Sequence, residues 1–216
     1  KQGNPNESFI ISKGDKIDIL STINSVYGYF SVNGGFKLKE TKGSVSTLTK
    51  ASIGPNNGNR LKSEEKIFLN KSHQLDKIKK IQHTFDNDNT IRVMMGLQYD
   101  YFSKKSQEDF FSKEYKVTRL TDRMGMRLEG EKIENIVNKN IKSEGITKGS
   151  IQIPGDGQPI VLLSDHPTIG GYPKIANIIS ADYDKLVQKM PGTKIKFKLV
   201  DLAVAENAFQ DYVRKF

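Results

Sequence analysis

The sequence predicts a mostly β protein with a few short helices set between and after the strands. Three observations predict it. Lys194 to Leu199 alternates lysine with apolar residues, the period of a half-buried strand. Ile160-Val161-Leu162-Leu163 is a short continuous apolar run behind the turn Pro154-Gly155-Asp156-Gly157, the pattern of a strand buried on both faces. The first third is punctuated by Gly14-Asp15, Asn33-Gly34-Gly35 and Ile53-Gly54-Pro55-Asn56-Asn57-Gly58, so only short elements fit between the turns.

Taken in order, Lys16 to Leu20 alternates beyond the Gly14-Asp15 turn, and Tyr27 to Val32 is a second strand candidate. Residues 50–66 read as a long turn-rich loop and 71–89 as a polar connector, where Leu75, Ile78 and Ile81 suit one helical turn or two. A new unit starts at Thr90 with the strand Ile91-Arg92-Val93-Met94-Met95. Ser106 to Phe111 reads as a helix with Ser106 as N-cap and Glu108 and Asp109 in its first turn, where acidic groups suit the helix dipole. Tyr115-Lys116-Val117 and Met126-Arg127-Leu128 are strands around a turn at Thr121-Asp122-Arg123. Tyr183, Leu186, Val187 and Met190 share a helical stripe that Pro191-Gly192 ends. Leu202, Ala205, Phe209, Tyr212 and Phe216 mark a last amphipathic helix with Asp201 as its cap.

Composition narrows the chemistry. The 216 residues hold no cysteine, which excludes disulfides, a thiolate nucleophile, zinc–thiolate sites and iron–sulfur clusters. Three histidines, His73, His83 and His166, are few for a multi-histidine metal site, and no metal is expected. No apolar run approaches the roughly 18 residues of a membrane span, and the opening Lys1-Gln2-Gly3-Asn4-Pro5-Asn6 lacks an apolar signal core, so a cytoplasmic protein without a membrane is expected. The net charge is +9, yet only six of the 34 basic residues are arginine. Arginine is the usual fork for phosphate and base edges, and the lysines are spread as on a solvated sheet, so no nucleic-acid partner is expected.

No G-x-S-x-G, phosphate-loop or H-E-x-x-H signature occurs. The densest group of chemically able residues is Ser164-Asp165-His166-Pro167-Thr168-Ile169-Gly170-Gly171-Tyr172-Pro173-Lys174, at the end of the buried run. Asp165 and His166 offer a base, Gly170-Gly171 lets backbone amides approach an anion, and Tyr172 and Lys174 suit a carbonyl or carboxylate. The plainer reading is a glycine turn with a capping aspartate and a surface histidine. Arg123 and Arg127 suggest an anion clamp on one strand face, or an internal ion pair with Asp122 or Glu129. Gln152, before the Pro154 turn, fits either a ligand contact or a tight turn between strands.

The run from Gly145 to Ile160, the motif Ser164 to Pro173, and Asp122-Arg123-Met124-Gly125 with Arg127-Leu128-Glu129-Gly130 together resemble the biotin-dependent carboxyltransferase-like family, also called allophanate hydrolase subunit 2. The likeness continues through Met190-Pro191-Gly192 and Lys194 to Leu199, and more weakly through Tyr29 to Gly35 and Gly43 to Thr47. Tyr27 and Val45 stand where the family usually carries arginine, and Gly96-Leu97-Gln98 where it tends to have Gly-Pro-Gln. The resemblance implies two cyclophilin-like β-barrel domains in tandem. Residues 1–89 would hold the back part of an incomplete first domain plus a connector, and 90–216 the second, since members begin roughly 90 residues earlier, a domain-sized difference. It further implies one component of an ATP-dependent 5-oxoprolinase assembly that opens 5-oxoproline to glutamate. A-like and B-like 5-oxoprolinase subunits would be the partners that complete that assembly, with ATP acting through it. By the same resemblance Asp165, His166, Thr168 and Tyr172 would be catalytic, and Arg123, Arg127, Gln152, Gly170, Gly171 and Lys174 would bind substrate. The family also contains the carboxyltransferase component of a biotin-dependent urea or amide carboxylase, and a regulatory protein that binds a kinase inhibitor. An incomplete β-domain exposes strand edges, so association between copies is expected as well.

Overall fold

Strands need neighbours to pair with, and in the computed structural model, which describes residues 4–72, 80–81, 87–137 and 140–215, all nine strands lie after residue 89. The chain divides into two compact units, Lys1–Leu20 with Gly28–Thr84, and Ser21–Tyr27 with Phe85–Phe216.

The expected strands at Lys16–Leu20 and Tyr27–Val32 do not form. Their segments find no partner ladder among the described residues. Pairing in the first unit is limited to isolated bridges such as Phe36 with Leu69 and Leu48 with Ile53. Among its described residues only Gly58 is buried, and Phe30, Phe68 and Leu69 stay exposed, so this unit has little core of its own. Leu75, Ile78 and the histidines His73 and His83 fall outside the described residues.

The second unit is a closed barrel. Its strands are β1 (Thr90–Met95), β2 (Glu114–Thr121), β3 (Gly125–Glu129), β5 (Ser150–Gln152), β6 (Ile160–Leu162), β8 (Lys174–Ile178) and β9 (Lys194–Leu199). Around the wall the order is β1-β8-β5-β6-β3-β2-β9, and every pairing is antiparallel except the closing one, where β1 runs parallel to β9. Two further short strands, β4 (Glu144–Gly145) and β7 (Ile169–Gly170), pair with each other outside that wall.

Alternation fills the interior. Ile195 and Phe197 of β9 point inward while Lys194, Lys196 and Lys198 face solvent, as their spacing predicts. Met126 and Leu128 of β3, Val117 and Tyr115 of β2, and Ile91 and Val93 of β1 join them in one core. Phe110 stacks on Phe197 with centroids 4.7 Å apart, and Tyr115 leans on both rings. Gly130 is required beside this cluster, because a Cβ there would lie 2.6 Å from the Tyr115 ring.

Among the described residues three α-helices flank the strands: α1 (Lys104–Ser112), α2 (Ser180–Val187) and α3 (Leu202–Val213). Helix α1 starts earlier than expected. Ser103, not Ser106, is its N-cap, accepting the Ser106 amide at 3.2 Å, and Glu108 and Asp109 therefore sit beyond the first turn. Ser106 is instead buried, and its hydroxyl accepts the Glu134 amide. Asp201 caps α3 as expected, accepting the Val204 amide at 2.8 Å. Helix α2 is fastened to β1 by the buried Asp182, whose carboxylate takes the Arg92 amide at 2.8 Å and the Arg92 guanidinium at 2.6 Å. Among the described residues no helix is long and apolar enough to cross a membrane.

Candidate functional site

The site begins with an irregularity in the barrel wall. Ile151 of β5 faces Ala176 of β8, but Gln152 faces Lys174, so β8 carries one residue more than β5 across this step. A bulge of this kind places two successive side chains on one side and re-aims the next. Ile175 and Ala176 are accordingly both in the core. Lys174, which regular alternation would send inward with Ala176, is turned to the outer face beside Gln152. Gln152 faces outward because its neighbours Ile151 and Ile153 are core residues.

Although they face out, both side chains are covered. Lys174 is 2% exposed and Gln152 5%. The cover is the ribbon of β4 and β7. Glu144 of β4 is the cross-strand partner of Gly170 of β7, and its carboxylate pairs with the Lys174 ammonium. Gly170 lies directly over Gln152, since a Cβ on it would come within 2.6 Å of Gln152 Nε2. Gln98, just past β1, completes the group. Its side-chain amide donates to the same Glu144 oxygen, Oε1, at 2.9 Å, and its carbonyl accepts the Lys174 amide at 3.2 Å. The hydrogen bond from Lys174 holds the Glu144 carboxyl below the usual glutamate range, against the opposing effect of burial and with a smaller contribution from Gln98.

One polar atom of this cluster is buried without a partner: Gln152 Nε2 donates to no described residue. Glu144 Oε1 accepts both bonds, and its side chain, 37% exposed, leaves the rest of the carboxylate to solvent. An uncompensated buried donor is costly, so such a group points to a missing acceptor.

The structure brings together Gln152, Gly170 and Lys174 from the sequence-derived set and adds Gln98 and Glu144. Arg127 lies on the same outer face, two strands from Gln152 through Ile160, exposed and without a carboxylate partner among the described residues. Arg123 precedes β3, so the two arginines do not share a strand face as expected. Its guanidinium instead grips Asp165 in two bonds of 2.8 and 3.0 Å, an internal pair with a different carboxylate from Asp122 or Glu129. Asp165 and His166 form no dyad: the His166 ring meets the Pro167 carbonyl at 2.6 Å. Thr168 is exposed and lends its carbonyl to the Ile146 amide, Gly171 lends its own to Ile141, and Tyr172 is 40% exposed. Among the described residues no three His, Asp or Glu side chains gather as a metal site.

Residues 1–199 match the family described as the carboxyltransferase domain, subdomain A and B. The chain is 38% identical over 180 residues to the 5-oxoprolinase C subunit of Haemophilus influenzae, covering 83% of this chain and 58% of that relative. It is 33% identical over 203 residues to the 5-oxoprolinase C subunit of Escherichia coli, covering 94% of this chain and 66% of that one. Its fold is similar to the crystal structure of the K. lactis urea amidolyase, with a TM-score of 0.75 at 26% identity over 86% of this chain and 13% of that one. The chain thus spans between 58% and 66% of the length of the two 5-oxoprolinase relatives.

Proposed function

The chain belongs to the carboxyltransferase domain family, subdomains A and B, and on that premise we propose that it is a substrate-binding part of an ATP-dependent 5-oxoprolinase assembly. The observation that carries the reading is the cluster of Gln98, Glu144, Gln152 and Lys174, in a chain 38% identical to a 5-oxoprolinase C subunit. Opening 5-oxoproline to glutamate breaks the lactam C–N bond and adds water across it. Negative charge develops on the lactam oxygen during that step, and a fixed ammonium in a covered site stabilises it far better than water does. Lys174 supplies the ammonium, and Glu144 with Gln98 fixes its place. Arg127, exposed on the same face, supplies charge for the substrate carboxylate.

Asp165 and His166 fit the reaction less well than the sequence alone implied. Asp165 is bound by Arg123, and His166 is turned onto a backbone carbonyl. In this reading the Arg123–Asp165 pair shapes the loop ahead of β7, and the base comes from elsewhere in the assembly. The sequence has no phosphate loop, and the cluster has no row of backbone amides for a triphosphate, so the residues present do not fit ATP. ATP is assigned to the A-like and B-like partners, and no step passes through it here.

A second reading is carboxyl transfer from a biotin carrier to an amide, favoured by the fold likeness to the urea amidolyase. The two separate in one assay. The protein is mixed with its partner subunits, 5-oxoproline and ATP, and glutamate and ADP are followed together. Joint appearance, lost by at least tenfold in Lys174→Ala, is expected. Turnover that ignores Lys174, or that needs carboxybiotin, would overturn the reading.

A further inference from the structure

The ammonium of Lys174 is out of reach beneath the β4–β7 ribbon, since the residue is only 2% exposed. Yet the ribbon rests on the barrel wall through few contacts. Glu144 Oε1 takes both the Lys174 ammonium and the Gln98 side-chain amide, so the charged latch closes on one oxygen atom. Ile146, just past β4, is buried, whereas Ile169 of β7 is 61% exposed and a Cβ on Gly145 would meet nothing within 4 Å. The flanking chain, by contrast, is fixed to the wall by backbone bonds. The Gly149 amide donates to the Leu162 carbonyl at 2.9 Å beyond β4. Ahead of β7 the Asp165 amide donates to the Arg123 carbonyl at 2.9 Å, and beyond it the Ile153 amide donates to the Pro173 carbonyl at 3.0 Å.

We infer that the β4–β7 ribbon is a lid, hinged between these fixed points and latched by Glu144, and that its lifting uncovers Lys174 and Gln152. Two physical arguments carry it. First, closing the ribbon dehydrates more than it pairs. The Lys174 ammonium gains a single carboxylate, which is itself 37% exposed and therefore screened by water. Gln152 Nε2 gains no partner among the described residues. Lifting the ribbon returns water to both groups, which supplies the missing acceptor and offsets the loss of the ion pair. Second, little apolar surface holds the ribbon down, while the wall beneath it is backed by the core residues Ile151, Ile175 and Ala176. Segments with few buried apolar contacts open at lower free energy than the core they cover.

The inference deepens the proposed function, because an ammonium so covered meets a substrate only after the lid lifts. It rests on that reading for what enters, and the motion rests on the ribbon alone. Gln98 is a positioning residue in both states. Its side-chain carbonyl accepts the Lys174 amide from the barrel side, so Lys174 keeps its place when Glu144 leaves.

The test is acetylation of the full chain by N-acetoxysuccinimide, with the rate at each lysine read by peptide mass spectrometry. Exposed Lys198 is the reference for a free amine. Hydrogen exchange of the β5–β8 ladder amides, on the same sample, reports opening of the barrel itself. Lys174 is expected to react at least tenfold more slowly than Lys198, yet to become accessible at least tenfold more often than the ladder opens. Glu144→Ala removes the latch. Gly170→Ala places a methyl group within 2.6 Å of Gln152 Nε2 and wedges the ribbon with no change of charge. Each variant is expected to raise the Lys174 rate at least tenfold, with the ladder still opening less often than Lys174 is uncovered. Three results would each overturn the inference. Lys174 reacting as fast as Lys198 means that no cover closes. Reaction in step with ladder exchange means that only unfolding uncovers it. An unchanged rate in either variant means that the ribbon is not held at Glu144 and Gly170. Turnover of 5-oxoproline judges the proposed function separately. If the lid lifts and the full assembly opens no 5-oxoproline, that reading fails and the lid stands. If turnover depends on Lys174 and acetylation occurs only through unfolding, the reverse holds.

Discussion

Gln152 and Tyr115 both end in a buried polar atom with no described partner, and their settings give opposite consequences. Gln152 lies under a ribbon beside a charged pair, whereas Tyr115 sits in the apolar core between Phe110 and Phe197. Burial pushes the Tyr115 phenol pKa upward, so the hydroxyl stays neutral and contributes little to folding. Tyr115→Phe is expected to be neutral or to stabilise by up to about 1 kcal/mol in urea melts, and a clear loss would reveal a partner for the hydroxyl. Glu144 gives a pH signature. Its carboxyl titrates below the usual range because Lys174 and Gln98 bind its charged form. A lowered folded-state value adds stability that is complete above the unfolded value and is lost as pH falls through the folded one. Wild type is therefore expected to exceed Glu144→Gln in stability at neutral pH, with the gap closing on acidification through the carboxylate range. A gap independent of pH would show that the charge is not what matters.

At the scale of elements, the bulge on β8 and the ribbon of β4 with β7 make the site, and neither was fully legible beforehand. The strand Lys194–Leu199 could be read directly because alternation records which face is dry. The strands around Met126 and Ile160, the turn at Pro154 and the cap at Asp201 were legible for similar local reasons. A bulge has no such local mark, because it is defined by the register between β5 and β8. Two-residue strands such as Glu144–Gly145 are too short to show a period at all. Gln98 stood in a motif but Glu144 in none, and 46 residues separate the two. Arg123 was legible as one half of an ion pair, yet its partner Asp165 is 42 residues away. The link between α2 and β1 offers a test at this scale. Asp182 is 3% exposed, and it satisfies both the backbone and the guanidinium of Arg92. Asp182→Ala is expected to cost about 2 kcal/mol in chemical denaturation, because it strands the Arg92 amide while the guanidinium, 34% exposed, is left to solvent. A cost below about 0.5 kcal/mol would place the pair among ordinary surface contacts.

At the scale of the molecule, the two units contrast in how much of their apolar surface they cover. The second buries Ile91, Phe110, Tyr115, Phe197 and their neighbours almost completely. The first leaves Ile19, Leu20, Tyr29 and Phe68 exposed and holds itself by isolated bridges and turns. The cooperative fold, and with it the candidate site, belongs to the second unit. The expectation of two tandem domains rests on the family resemblance, and a family match over residues 1–199 spans both units.

The closure of the barrel has a mechanical consequence. Thr90 pairs with Lys196 and Val93 with Leu199, so the first strand and the last lie side by side and point the same way. The chain enters the barrel at one rim and leaves it at the other. Tension applied through the flanking segments, once α3 has peeled away, pulls β1 and β9 in opposite directions along their shared seam. The hydrogen bonds of that seam are then loaded in shear, all together, instead of being unzipped singly as in a hairpin pulled from its open end. Such a barrel resists force up to one threshold and then yields in a single step.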